Sequence, residues 1–285
     1  MKKNPIRSRF CLCLRHDLDE LPPELFQELI SLEKNLGVRS TCFVLASQIN
    51  NKNFYQLLLD AKTDDFDIQI HSEVKYDTNR YFLKKINTLW RILIFKYGNQ
   101  KMIEKYYAKY LELNATNLKN KLNFYGHAPH SNNCYLKYDT DKNWDIIEAA
   151  TLKAGFKWLS DYRDILKVRW GEEFLSPRPP YKIINNENKQ LVVFPTSWDD
   201  QYMFKYKSVD APTKTTQEGQ RSILKQIEYC KKHQIPCVIN LHPIHFLKDN
   251  PRYLISLIEN VVNFCRENNI EILTLNKLFY NINNL

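Results

Sequence analysis

Glycine is scarce in this 285-residue sequence, at 6 residues, and proline contributes only 12. Collagen-like, linker-rich and repeat-spacer architectures are excluded. No apolar run approaches the roughly 18–20 residues of a membrane span. The basic start, Met1-Lys2-Lys3-Asn4-Pro5, meets Arg7 and Arg9 before any apolar stretch of signal-peptide type can form. A cytoplasmic location is the expectation. The cysteines number seven, an odd count, and none form a Cys-x-x-Cys pair. A disulfide framework and a cysteine-based zinc site are therefore set aside, and Cys11 and Cys13 read as strand packing. Acidic residues are outnumbered 32 to 41 by Lys and Arg, a net charge of +9 that favours anionic partners.

Apolar residues make up 44% of the chain, enough for a sizeable core. Short apolar or β-branched runs occur at 9–15, 40–45, 66–71, 122–126, 156–160, 191–195, 236–241 and 270–274, with helical patterns between most of them. Residues 22–36 open on Pro22-Pro23 and stop at Gly37; residues 143–154 stop at Gly155. Thr215 stands three residues before Glu218, a capping-box spacing for a helix over 215–233, and 251–268 is a further amphipathic stretch. Such alternation predicts a parallel sheet with helices outside it. With seven or eight strands and no Gly-x-Gly-x-x-Gly, a closed or nearly closed barrel fits better than a dinucleotide-binding sheet. Its chemistry should lie at the carboxyl ends of the strands.

Residues 78–121 break the rhythm and read as a helical insertion after the third strand, hinged near Gly98. Between Arg80 and Lys121 there are ten basic residues against Glu104 and Glu112, a local charge of +8. A solvated helix face accounts for this, as does a docking surface for a lipid headgroup, an anionic glycan or a nucleotide sugar. No nucleic-acid motif accompanies the charge.

Six of the seven histidines fall at or just past the ends of four predicted strands: His16, His71, His127, His130, His242 and His245. Only His233 sits on a predicted helix. A lone histidine is usually structural, but six at one end of a barrel are hard to treat as incidental. Together with Asp17 and Asp19 they supply imidazole and carboxylate donors for a divalent metal. Such a site makes a nucleophile from water near neutral pH and polarises a carbonyl.

At these residues the chain resembles the polysaccharide deacetylases, the family-4 carbohydrate esterases, in the divergent branch whose first motif reads Arg-His-Asp-x-Asp. Arg15-His16-Asp17-Leu18-Asp19 resembles that first motif. Asp67-Ile68-Gln69-Ile70-His71-Ser72 is similar to the second and Gly126-His127-Ala128-Pro129-His130 to the third. Residues 155–161 and Pro195-Thr196-Ser197-Trp198-Asp199-Asp200 resemble the fourth region, and Asn240-Leu241-His242-Pro243 the last. The resemblance implies an incomplete (β/α)7 TIM-like barrel as a single domain over 1–285, and hydrolysis of an N-acetyl group from a sugar. It implies Asp17 as general base, His242 as general acid, and Asp19 and His71 as ligands of a divalent metal, zinc first. The motif's second histidine is replaced by Lys75, so the third ligand falls to His127, His130 or Asp77; His127 is favoured because it directly follows a predicted strand. Ala128 stands where the third motif carries arginine, and Arg178-Pro179-Pro180-Tyr181 comes too late in the chain to supply it.

Around this centre, Arg15, Lys75, His130, Trp198, Asp200 and His245 are candidates for substrate contacts or for holding a ligand or the acid in place. Asp161 and Asp164 are candidates for orienting the catalytic histidine. The expected partner is an N-acylated sugar, nucleotide- or lipid-linked, within surface-polysaccharide (O-antigen or capsule) biosynthesis, with peripheral membrane contact through 80–121. Lys75 also motivates an alternative: an altered barrel that binds a glycan or nucleotide sugar without hydrolysing it. An open α/β sheet with glycosyltransferase function, on the Asp17-Leu18-Asp19 triplet, fits the histidine-rich strand ends poorly.

Overall fold

Most of the apolar runs between the amphipathic helices become parallel strands of a single sheet. The computed structural model describes residues 2–72, 100–119, 122–129, 141–161, 177–203, 215–244 and 251–283. Its strands are β1 (Lys2–Pro5), β2 (Leu12–Asp17), β3 (Thr41–Val44), β4 (Asp67–Ser72), β5 (Gly126–Pro129), β6 (Trp158–Asp161), β7 (Tyr181–Ile184), β8 (Gln190–Pro195), β9 (Trp198–Asp199) and β10 (Cys237–Leu241). They pair in the order β1-β7-β8-β6-β5-β4-β3-β2-β10-β9.

From β8 to β9 every pairing is parallel, and the sheet curls into an incomplete TIM-like barrel. Its two edges are joined by one run of chain. β8 bonds β6, and Thr196 N still donates to Asp161 O at 2.9 Å. One residue later Ser197 N donates to Val238 O at 2.7 Å, and β9 pairs with β10. The sixth stave of the barrel thus switches partners at Thr196–Ser197.

Period-two alternation sorts the side chains into two layers. Leu12, Leu14, Ile68, Ile70, Leu159, Val193 and Ile239 face the helices and pack with residues such as Phe26, Leu29, Leu58, Trp144 and Ile223. Cys11, Cys13, Phe43, Trp158, Phe194 and Val238 fill the barrel with Leu275, Leu278 and Ile282 of the C-terminal helix Leu275–Asn283. That helix closes the amino-terminal end. Its Leu275 and Asn276 N–H groups donate to Thr41 Oγ1 (2.8 Å) and Asp67 Oδ2 (3.1 Å), at the first residues of β3 and β4.

The helix punctuation holds. Thr215 and Glu218 form the capping box of helix Thr216–His233, and Gly37 (φ +62) follows helix Pro23–Asn35 in the left-handed region that favours glycine. Within the expected insertion, helix Gln100–Lys119 is present and buries Tyr107 and Leu111; residues 78–99 lie outside the described part. Two expectations need correction. The 122–126 strand forms four residues later, at 126–129, because Gln69 Oε1 accepts from the Tyr125 and Gly126 N–H groups before the ladder begins. The 270–274 run makes only an isolated bridge, Leu12 to Ile272, before turning into the closing helix. The antiparallel flank of β1 and β7 is additional to these runs: β1 is Lys-Lys-Asn-Pro, and β7 is only four residues long and interrupted by Lys182.

Gly126 shows how tightly the interior is filled. A Cβ there would lie 2.1–2.3 Å from carbons of the Trp158 indole, which sits edge-on between Phe43 and Phe194. Gly126→Ala should therefore lower the urea midpoint, with overpacking costing about 1–3 kcal/mol or more. An unchanged midpoint would show that the indole can move aside.

Candidate active site

Alternation also decides which polar side chains meet. On β2, Arg15 and Asp17 point into the barrel and His16 points out. On β4 His71 points in, on β9 Asp199, and on β10 Asn240, with His242 just beyond the strand. All lie at the carboxyl ends.

Asp17 is the centre of the group. Arg15 Nη2 donates to its Oδ1 at 2.5 Å, and Asn240 Nδ2 donates to its Oδ2 at 3.1 Å. The same Oδ2 faces His242 Nε2 at 3.5 Å and His71 Nε2 at 3.9 Å. Burial pushes the Asp17 carboxyl up, but Arg15, His71 and His242 outweigh it and hold Asp17 well below the usual carboxylate range.

His242 is clasped by Asp200. Asp200 Oδ1 accepts from the ring Nδ1 and Oδ2 from the His242 backbone N–H, both at 2.6 Å. Burial pulls the imidazole down, yet Asp200, then Asp199 and Asp17, raise it to about 10. His242 therefore sits as an imidazolium across the neutral range.

His71 Nδ1 donates to Ala128 O at 3.1 Å, which leaves Nε2 aimed at Asp19 Oδ1, 3.3 Å away. Two donors on a tetrahedral zinc at about 2.0–2.2 Å lie about 3.3–3.5 Å apart. The His71–Asp19 edge fits that requirement, and the carbonyl behind the ring is the usual support of a metal-binding histidine. Asp199, Asp200 and His242 also bring donor atoms within 4.8 Å of one another. Both Asp200 oxygens, however, are engaged by His242, which describes an orienting clasp rather than a cation cage.

No protein-family model matches the chain, and no curated protein matches it by sequence. Solved structures do match. A Mycobacterium smegmatis protein described as a polysaccharide deacetylase superposes with a TM-score of 0.64 at 12% identity, over 98% of this chain and 93% of that one. The polysaccharide deacetylase Bc1974 from Bacillus cereus gives 0.50 at 12% identity, over 92% and 90%. The chain has the polysaccharide-deacetylase fold.

Within this fold, Asp17, Asp19, His71, Asp200 and His242 are brought together. His127 is not. It faces the helix layer, with Nε2 at Ser72 Oγ (2.5 Å), Nδ1 at Thr151 Oγ1 (3.2 Å) and its ring against Phe156. Being next to a strand end did not place it inside, because alternation turned it outward. His16 is likewise outward, 2.6 Å from Glu33 Oε1. Arg15 is fully buried against Asp17, Ser160 and the Phe43 ring, so it props the carboxylate and does not line a substrate surface. Trp198 is buried with Nε1 donating to Ser222 Oγ at 3.0 Å, away from any sugar-stacking position. Asp161 Oδ2 accepts from Tyr181 OH, one residue out of phase with Ser160, which meets Arg15 inside the barrel. Lys75, Asp77, His130, Asp164 and His245 lie outside the described residues. Sequence reasoning missed Asn240 and Asp199. The signal for Asn240 was its position two before His242, on the same strand face.

The clasp has a measurable consequence. In metal-free protein His242 should stay protonated until pH approaches 10 and lose its proton above that. Asp200→Asn should lower the midpoint by at least about one unit, since a contacting opposite charge is worth about 1–3 units. Histidine ring NMR against pH reads this directly; a wild-type midpoint at 6–7 would contradict the assignment.

Proposed function

We propose that the protein is a metal-dependent hydrolase that removes an N-acetyl group from a sugar, a carbohydrate N-deacetylase. The supporting observation is the meeting of Asp17, Asp19, His71 and His242, from separated stretches of sequence, at one rim of a deacetylase-type barrel.

Asp19 and His71 would hold a divalent metal, zinc first. When bound, such an ion acidifies a water and polarises the amide carbonyl. Asp17 acts as general base. Arg15 fixes Oδ1 and leaves Oδ2 facing the cleft, where a carboxylate of low pKa suffices for a water already acidified. Water oxygen forms the new bond to the acetyl carbon, and the C–N bond breaks. The amine cannot depart as an anion, so His242 donates the Nε2 proton to it, with Asp200 holding the ring by Nδ1. The products are acetate and the free amino sugar. Asp17 is left protonated and His242 neutral, 3.5 Å apart, so the resetting proton transfer is short.

For the substrate, a nucleotide- or lipid-linked N-acylated sugar in surface-polysaccharide assembly is our reading, with the protein acting in the cytoplasm. The charge of +8 over residues 80–121 supports an anionic carrier group, and Lys101, Lys105 and Lys109 are exposed on the described helix of that segment.

Elemental analysis beside acetate release from N-acetylated sugar panels tests the proposal. Wild type should carry about one metal per chain, and His71→Ala none. Asp17→Asn should keep the metal and lose about 10²–10⁴ of turnover, the usual worth of a general base. Metal-free wild type, or full turnover in Asp17→Asn, would overturn the mechanism.

A further inference from the structure

On the outer face of the site-bearing strands lies a chain of polar side chains that the proposed reaction does not use. Tyr107 OH is 3.2 Å from Ser72 Oγ, which is 2.5 Å from His127 Nε2. His127 Nδ1 is 3.2 Å from Thr151 Oγ1, and Thr151 Oγ1 donates to Ile147 O at 2.7 Å. All four side chains are fully buried. They come from four elements: helix Gln100–Lys119 of the insertion, β4, β5 and helix Asp141–Lys153.

The hydrogens can be assigned by elimination. The Thr151 proton is committed to the Ile147 carbonyl, so Thr151 accepts from His127 Nδ1–H. Burial, with His71 and Arg15 nearby, drives His127 well below the ordinary histidine range, so the ring is neutral and Nε2 is an acceptor. Ser72 O–H therefore donates to Nε2, and the Ser72 oxygen accepts from Tyr107 O–H. Each link then points one way, from Tyr107 to the Ile147 carbonyl, and successive bonds in such a chain reinforce one another.

Its two middle links adjoin the backbone that sets His71. Ser72 directly follows His71. Ala128, whose carbonyl accepts from His71 Nδ1, directly follows His127. We infer that Ser72, His127 and Tyr107 are positioning residues that lock the His71 ring through the strand ends on either side of it, making the insertion helix part of the metal-binding unit. The inference rests on the proposal that His71 and Asp19 hold a metal. It also gives His127 a role that its place in the sequence disguised.

The test is Zn²⁺ affinity of the whole protein, by competition with a chromophoric chelator, read beside the melting temperature of the metal-free form. Ser72→Ala and Tyr107→Phe should each weaken Zn²⁺ binding about 10–100-fold, the usual effect of losing a group that orients a ligand. Ser72→Thr, which keeps the hydroxyl, should bind close to wild type. A merely structural role would lower the melting temperature and leave the affinity of the folded protein unchanged. If wild type binds Zn²⁺, His71→Ala does not, and Ser72→Ala and Tyr107→Phe match wild type, the positioning role alone is overturned. It is overturned too if Ser72→Thr fails as badly as Ser72→Ala. If wild type binds no Zn²⁺, the metal reading falls first and this inference with it.

Discussion

An arginine and an aspartate two residues apart on one strand, both removed from water, organise the carboxyl end of this barrel. Arg15 is wholly buried and Asp17 nearly so. A buried ion pair is tolerated only when its remaining donors and lone pairs are met. Here Arg15 Nη1 also donates to Ser160 on β6 at 2.7 Å, its guanidinium lies 4.5 Å from the Phe43 ring on β3, and Asn240 of β10 donates to the other Asp17 oxygen. One charge pair therefore binds four strands. Removing either member would break a buried ion pair, a loss of about 3–5 kcal/mol. The same pair fixes which carboxylate oxygen faces the cleft, so the stability of this end and the orientation of the proposed base are one property.

The histidines divide by strand face. His71 and His242 point inward to carboxylates that face the cleft; His16 and His127 point outward to groups supplied by helices, Glu33 and Thr151. All four are buried, so exposure does not separate them. Partner identity does. An outward imidazole that meets a helix hydroxyl or carboxylate becomes mortar between layers, and an inward one becomes available for chemistry.

This division explains how far the sequence could be read. Strand–helix alternation, the capping box at Thr215 and the left-handed Gly37 were all legible, because each is a local rule. So was the gathering of Asp17, Asp19, His71 and His242, since a parallel barrel sends every strand end to one rim. What failed was parity. His127 directly follows Gly126 in the sequence, and whether it points in or out depends on a register that starts only at Gly126, after Gln69 has taken the preceding N–H groups. Trp198 failed for the same reason, being one residue out of phase with inward-facing Asp199. The antiparallel flank of β1 and β7 was illegible because two four-residue strands, one of them Lys-Lys-Asn-Pro, are too short to carry an alternation signal.

Asp19 differs from Asp17 and His71 in that no strand holds it. It occupies a turn in which Leu21 N donates to Leu18 O at 3.1 Å, and the next residue, Glu20, has φ 54. A non-glycine residue there carries a cost of about 1–2 kcal/mol, so the turn persists only because its surroundings fix it. Leu18 is fully buried, and Gln48 Nε2 donates to Leu18 O at 2.6 Å while reaching Leu21 O at 3.4 Å. Pro22 and Pro23 then start the following helix. The carboxylate proposed to meet the metal beside His71 is thus located by a clamp from a neighbouring helix, whereas Asp17 is located by the sheet. Two aspartates separated by a single leucine owe their positions to different parts of the fold.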